Sequence, residues 1–431
     1  MLKMGYACLQ VFMMRVCKIV AIFSSCLLFA NASPQSDFKV FDAQIGFFSS
    51  GGFGRLGQNH IRGGYTNLFG TFDIKSKEIF GFEFGVGLSA VGLLHRVKNQ
   101  DIYSDITDDI VGVGFRINND EAKDFRYTST GFVLHTLYAG YKNAWGNLRV
   151  GRFPLNLQWI GDYIQGVAVV IDRFEDFTIQ AGWFDTQAYA NAEENVDFGY
   201  MRHWYDRFEG YAIKNNYFLD VKYHRPWLDM NVYYDYFDTL LWVGGLKTDW
   251  YWNLSDWEFK TRLHYAFVRA SEQSSVVCKN PSLSQIAGLA CYVPGSMGSV
   301  AGYFWQIEQG FRHKGWDFGV GYLQNDKRNA TNNLPIYADD NPLEYNTVVY
   351  GEGGKTAYVR FEYAYEGKYF LALKYGISAY GSAQDKSLQG QFNAVLGMAL
   401  KQMNISLGYV NIDDKNGYQN NIAKVWLGVK F

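Results

Sequence analysis

The chain has 431 residues, 48% of them hydrophobic and 18% aromatic, with 45 Gly, only 7 Pro and a formal net charge of −2. That balance gives no basic excess for nucleic acid, and a mean hydropathy of −0.18 argues against a bundle of membrane helices. Beyond the N-terminal leader no run of ~20 apolar residues occurs, so no later segment spans a bilayer as a helix; a β-barrel, which turns only every second residue to lipid, escapes that requirement.

The chain opens on a secretion signal. Arg15 and Lys18 form a charged start, Ile19 to Phe29 is apolar but too short to span, and Ala30-Asn31-Ala32 is a small-x-small cleavage site. The expected division is a signal peptide over 1–32 and one barrel domain over 33–431, with Ser33 as the mature N-terminus. Met13 or Met14 is an alternative start for the same signal. The leader removes Lys3, Arg15 and Lys18 and no acid, leaving 37 of the 40 basic residues against 42 acidic ones.

Alternation begins within a few residues of the cleavage site, which leaves no room for a plug domain. In Ile79–Val91, Phe80, Phe82, Phe84, Val86, Leu88 and Ala90 share one face, and Gly81, Glu83, Gly85, Gly87 and Ser89 share the other. Trp257–Val268 separates Trp257, Phe259, Thr261, Leu263, Tyr265 and Phe267 from Glu258, Lys260, Arg262 and His264. In Lys355–Tyr365 the split is Ala357, Val359, Phe361, Tyr363 and Tyr365 against Tyr358, Arg360, Glu362 and Ala364. About eighteen such strands are expected, at the length that barrel strands need. They start near Phe38, Gly64, Phe80, Gly131, Asn147, Tyr163, Phe177, Tyr217, Leu228, Leu241, Trp257, Tyr303, Trp316, Lys355, Tyr369, Gln391, Asn404 and Asn421. Short turns alternate with long polar stretches at 95–127, 188–214, 271–300 and 325–354. The fold class is therefore an all-β antiparallel transmembrane barrel with short periplasmic turns and long extracellular loops. The connection after Asp238 is unusually short for the outer side.

Of the five Cys, three leave with the leader. Cys278 and Cys291 remain, an even pair in a Ser-, Gly- and Pro-rich stretch that reads as a disulfide closing one loop in an oxidising envelope. The chain ends on its most specific signal. Phe431, Val429, Leu427, Val425 and Ala423 share an apolar face opposite Lys430, Gly428, Trp426 and Lys424, and such an aromatic-ended edge strand is what barrel assembly machinery pairs with.

The run Asn147-Leu-Arg-Val-Gly-Arg-Phe-Pro154, then Trp159-Ile-Gly-Asp-Tyr-Ile-Gln-Gly166 and Phe177-Thr-Ile-Gln-Ala-Gly-Trp183, resembles the Opr/OprD-like porins. The nearest likeness is to the Hof outer-membrane proteins of Helicobacter and related bacteria. Gly64-Tyr-Thr-Asn-Leu-Phe-Gly70 and Phe82-Glu-Phe-Gly-Val-Gly-Leu88 resemble that family's early strands. The resemblance implies an eighteen-stranded barrel that passes small solutes, with loops folded inward to narrow the pore; it transfers no binding site residue by residue.

From the alternation itself, the pore-lining candidates are Arg149, Lys222, Glu258, Lys260, Arg262, Arg312, Arg360 and Glu362, with His264 and Lys374 on the same faces. Further acids are expected at Glu83, Asp220, Asp235 and Glu308. Opposed charges across a constriction orient a passing solute, although each of these residues would also serve simply to solvate the inner wall. Trp159–Gly166, with Asp162, follows the fifth strand where a constriction loop would sit. Tyr141, Trp145, Trp183, Trp227, Trp250, Trp252, Trp316 and Tyr369 read as interface girdles. The scattered His residues give no metal spacing, and no cofactor is expected.

The function expected is an outer-membrane porin for small hydrophilic solutes or ions. The alternative is an adhesin or structural barrel that binds partners through its long loops. An outer-membrane lipase would need Ser and His together on the lipid-facing side; His135 is expected to face outward, with no Ser beside it. Expected partners are outer-membrane lipid and lipopolysaccharide, the assembly machinery and the solutes, and no nucleic acid. Association into homo-oligomers is left open.

Overall fold

Every-second-residue alternation makes each segment a strand with one apolar face, and such strands are stable in lipid only when no edge is left unpaired. The computed structural model describes residues 38–53, 64–97, 132–192, 195–200, 215–238, 241–270, 301–327, 342–344, 349–350, 353–381, 386–415 and 419–431. The expected signal peptide at 1–32, and Cys278 and Cys291, lie outside the described residues.

The first strands are β1 (Phe38–Phe53), β2 (Gly64–Ser76), β3 (Phe82–Val97), β4 (Phe132–Asn143), β5 (Gly146–Pro154), β6 (Tyr163–Phe174), β7 (Phe177–Ala190), β8 (Asn195–Tyr200), β9 (Asn216–Arg225) and β10 (Leu228–Phe237). They are followed by β11 (Leu241–Leu254), β12 (Trp257–Ala270), β13 (Ala301–His313), β14 (Trp316–Asn325), β15 (Lys355–Tyr365), β16 (Tyr369–Tyr380), β17 (Ser387–Ala399), β18 (Met403–Asp414) and β19 (Gln419–Lys430). Eighteen of them form a closed antiparallel barrel. The largest offset from the expected strand starts is Ser387 against Gln391.

β1 pairs with both β2 and β19, with Ile45 opposite Val429, and the Phe431 amide donates to the Ala43 carbonyl at 2.9 Å. The terminal strand thus closes the sheet. β8 stands outside the wall: Phe177–Phe184 of β7 pairs with β9, while only the distal end of β7, Thr186–Ala190, pairs with β8. From there β8 lies against β4 and β3. Asn195 accepts from the Ser89 hydroxyl of β3 at 2.6 Å, and the Phe198 ring lies 4.3 Å from the Arg152 guanidinium. Val196, Phe198 and Tyr200 alternate with Asn195, Asp197 and Gly199, but the run is only six residues long and lies within the stretch 188–214 expected as an external loop.

Several turns between short-linked strands carry consecutive positive φ angles, at Phe80–Gly81, Lys314–Gly315 and Glu366–Gly367. That is the type I′ geometry whose twist matches a hairpin. On the outer face near these turns a row of rings runs from Trp252 to Phe259, Phe311 and Phe318, with successive centroids 5.9, 5.4 and 6.2 Å apart. Phe82, Leu148, Leu263, Ile307, Val359, Leu407 and Leu427 are exposed on the same outer face, as a lipid-facing band requires.

Strict alternation fails at one informative place. Between Gly87 and Ser89 the pairing of β3 with β4 shifts register, moving from Gly87↔Thr136 to Ser89↔Val133. The bulge puts His135 and Thr136 both inside, so His135 is fully buried with Nδ1 3.7 Å from Asp73 Oδ1. The outward His135 expected from parity is therefore corrected: one extra residue inverts the facing of everything beyond it.

Candidate functional site

Leu155–Asp162, the connection from β5 to β6, turns into the barrel interior. The Leu155 amide donates to the Asp162 carbonyl at 2.9 Å and the Leu157 amide to the Ile160 carbonyl at 2.7 Å, giving a narrow hairpin. Its tip is fully buried at Trp159 and Ile160. Trp159 crosses to the far wall, where it stacks on His264 of β12 at 6.0 Å and meets Phe304 of β13 edge-on at 5.7 Å. Tyr233 and Tyr350 close the seat at 6.5 and 6.0 Å. The Tyr233 hydroxyl lies 2.7 Å from His264 Nε2, fixing that ring beneath the indole. Phe237 and Leu241, which flank the short connection after Asp238, are buried in the same cluster, so the hairpin fills the space beneath that connection.

The expected Trp159–Gly166 stretch needs a boundary correction. The inward segment is Leu155–Asp162, and Tyr163–Gly166 already belongs to β6. Asp162 ends the hairpin with φ +61. A second interior contact comes from the β14–β15 connection. Leu343, Val349 and Tyr350 are buried there, and Glu344 accepts from Lys424 Nζ of β19 at 2.8 Å.

The inner wall facing the hairpin is built from β11 to β19. Arg262 sits opposite Asp249 on one side and Glu308 on the other. Its guanidinium grips the Asp249 carboxylate with two bonds of 2.7 and 3.0 Å, and Lys260 Nζ reaches the same carboxylate at 3.0 Å. Arg360 lies 3.0 Å from Glu308, 2.8 Å from Asp317 and 3.9 Å from Glu362. Toward the turns, Arg312 bridges Glu258 at 3.0 Å and Asp317 at 2.9 Å. Tyr358 donates to Glu308 at 2.8 Å and accepts from Gln306 at 2.6 Å. Lys247 donates to Gln158 on the hairpin at 3.3 Å, joining wall to loop. Gly310, Gly319 and Gly321 carry no side chain on this face, and a Cβ on Gly319 would come within 2.7 Å of Arg360 Nε. Small residues in the intervening positions let long charged ones extend along the wall.

The other sequence candidates lie apart from this group. Arg149 sits over the Tyr138 ring at 5.3 Å, 3.5 Å from Glu83, which also pairs with Lys75 at 2.7 Å. Lys222 is 3.6 Å from Asp220. Lys374 is opposite Arg360 across the β15–β16 hairpin. Sequence reasoning passed over Asp249, Asp317, Lys247 and the Glu344–Lys424 pair. The first two were within reach, since both face a candidate Arg across a two-residue turn.

No family model matches the sequence, and no curated relative matches it. Solved structures do. The chain has the fold of an OprD-type porin barrel. Pseudomonas aeruginosa OccK8 (OprE) superposes with a TM-score of 0.68 at 13% identity, over 90% of this chain and 98% of that one. Acinetobacter baumannii OccAB4 gives 0.67 at 14% identity, over 92% and 99%. Pseudomonas aeruginosa OpdK, solved with vanillate, gives 0.65 at 10% identity, over 92% and 98%. These likenesses place the architecture among barrels of the outer membrane.

Proposed function

We propose that the protein is an outer-membrane porin passing small hydrophilic solutes and ions through a charged pore narrowed by its inward hairpin, with small anions favoured. The observation that carries this is the run of cationic side chains on the wall from β11 to β19, facing the Trp159 hairpin. Its guanidinium groups are held in place by neighbouring carboxylates. Held in fixed geometry, they pass a carboxylate from one to the next at little reorganisation cost, while the interspersed acids keep each step weak enough to release. The vanillate bound in the OpdK structure is a small carboxylate of this kind. On this reading Arg149, Asp162, Lys222, Glu258, Lys260, Arg262, Arg312, Arg360 and Glu362 line or frame the pathway. Phe431, Leu427 and Val429 serve assembly, residues 1–32 direct export, and Cys278 and Cys291 close an external loop. Membership of the Hof group rests on the Asn147–Pro154 and Phe177–Trp183 runs.

Purified protein in a planar bilayer should give discrete conductance steps. Under unequal salt the reversal potential should take the sign of anion preference, and small carboxylates should reduce the current. A bilayer that stays silent at high protein load refutes the porin reading; steps with cation preference refute the anion pathway alone.

A further inference from the structure

The outer face of the barrel carries a group of cations at the end from which the long connections leave, the extracellular end. There β15 to β18 share one row of paired positions. Lys355 is opposite Ala379, Ala379 is opposite Leu388, and the Lys415 amide donates to the Leu388 carbonyl at 3.0 Å. Alternation fixes the side on which this row lies. The adjacent residues Thr356, Ser378, Gln389 and Asp414 are buried inside, so the row itself faces outward, continuous with exposed Val359, Tyr375 and Ile377 of the lipid band. Lys386 immediately precedes β17, two residues before Leu388 and on the same side by parity. All three lysines are exposed.

Long cations inside the barrel are paired with carboxylates. Lys355, Lys386 and Lys415 have no side-chain hydrogen bond or ion pair among the described residues, while Asp413 on the same face is already engaged. Ammonium groups gathered at the edge of hydrocarbon repel one another unless an anion lies between them. The ground between the lysines is low. Ala379 and Gly390 form it, and a Cβ on Gly390 would meet nothing closer than the Tyr375 hydroxyl and the Asp413 carbonyl at 3.8 Å. The strand ends are held firmly from within. The Thr356 and Ser378 hydroxyls are 2.8 Å apart, and Ser387 and Gln389 donate to Asp414 at 3.1 and 3.2 Å. The depression is therefore preformed, with Lys355 and Lys415 three strands apart, about 14 Å at the usual strand spacing.

We propose that Lys355, Lys386 and Lys415 bind the phosphates of a lipopolysaccharide headgroup in the outer leaflet. The two phosphates of that glycolipid stand at opposite ends of a disaccharide, which suits lysines set apart across a shallow floor. The sugars lie over Ala379 and Gly390 beside the Tyr375 hydroxyl, and the acyl chains run down past Ile377 and Val359. Phospholipids of the inner leaflet do not reach this end of the barrel.

The test uses the full barrel, refolded in detergent free of lipopolysaccharide. Three probes are titrated in mixed micelles: lipopolysaccharide with both lipid A phosphates, the same lipid dephosphorylated, and phosphatidylglycerol. The phosphorylated glycolipid should bind saturably, raise the melting temperature, and lose affinity as salt is added. Lys355→Gln, Lys386→Gln and Lys415→Gln together should weaken it roughly tenfold or more. Lys368→Gln, beside a periplasmic turn, should leave it unchanged. If the triple variant fails to fold, Lys355→Gln with Lys415→Gln decides the matter. Affinity unchanged in the folded variant, equal weakening by Lys368→Gln, or equally tight binding of the dephosphorylated lipid or phosphatidylglycerol overturns the proposal.

Discussion

Replacing Trp159 by Ala removes the anchor that seats the inward hairpin on the opposite wall. The indole is fully buried against His264, Phe304, Tyr233 and Tyr350. Truncating a buried Trp costs about 3–5 kcal/mol in lost transfer energy and residual cavity. Leu155 and Leu157, nearer the strands, stay buried in the same cluster, so the loop loses the anchor at its tip and keeps its base. The equilibrium between seated and released hairpin should then shift by about a hundred- to a few-thousand-fold, at ~1.4 kcal/mol per factor of ten. Barrel closure does not depend on this side chain, so the heat-modifiable mobility of the folded protein should be unchanged. Single-channel recording should show a larger and noisier open state in Trp159→Ala, with Trp159→Phe recovering most of the wild-type behaviour. Wild-type conductance and noise in a correctly folded Trp159→Ala barrel would refute the view that this residue holds the pore narrow.

The double change Lys260→Met with Arg262→Met leaves Asp249 without its cations and should move the reversal potential under a salt gradient toward cation preference; an unmoved potential would place the permeation route elsewhere. Deleting Phe431 removes both the terminal aromatic and the amide bonded to Ala43, and should lower the folded outer-membrane fraction several-fold on heat-modifiability gels. Gly166→Ala sets a Cβ 2.0 Å from the Trp183 carbonyl oxygen, a backbone atom that cannot rotate away, and should destabilise the barrel by about 1–3 kcal/mol in urea unfolding from detergent.

How much of the site was legible follows from where the chain reverses. Across the turn at Ser255–Asp256, β11 and β12 pair so that Asp249 meets Arg262. Across Lys314–Gly315, Arg312 meets Asp317. In such hairpins the register follows from the turn, so these contacts were available to counting alone. Arg262 with Glu308, and Arg360 with Glu308 and Asp317, join strands whose connections run through long loops. There the register is not written locally, and the network among these charges emerges only when the barrel closes.

Alternation with period two is a local property, and by itself it determined the strands, their lipid faces and a final strand ending at Phe431 that needs a partner. Tertiary structure alone decided that β1 is that partner, that a bulge turns His135 inward, that Trp159 lands on His264, and that Arg360 reaches Glu308 and Asp317. Each of these depends on register carried around a closed sheet or on a loop crossing its interior, and no short-range pattern encodes contacts between residues so far apart in the chain.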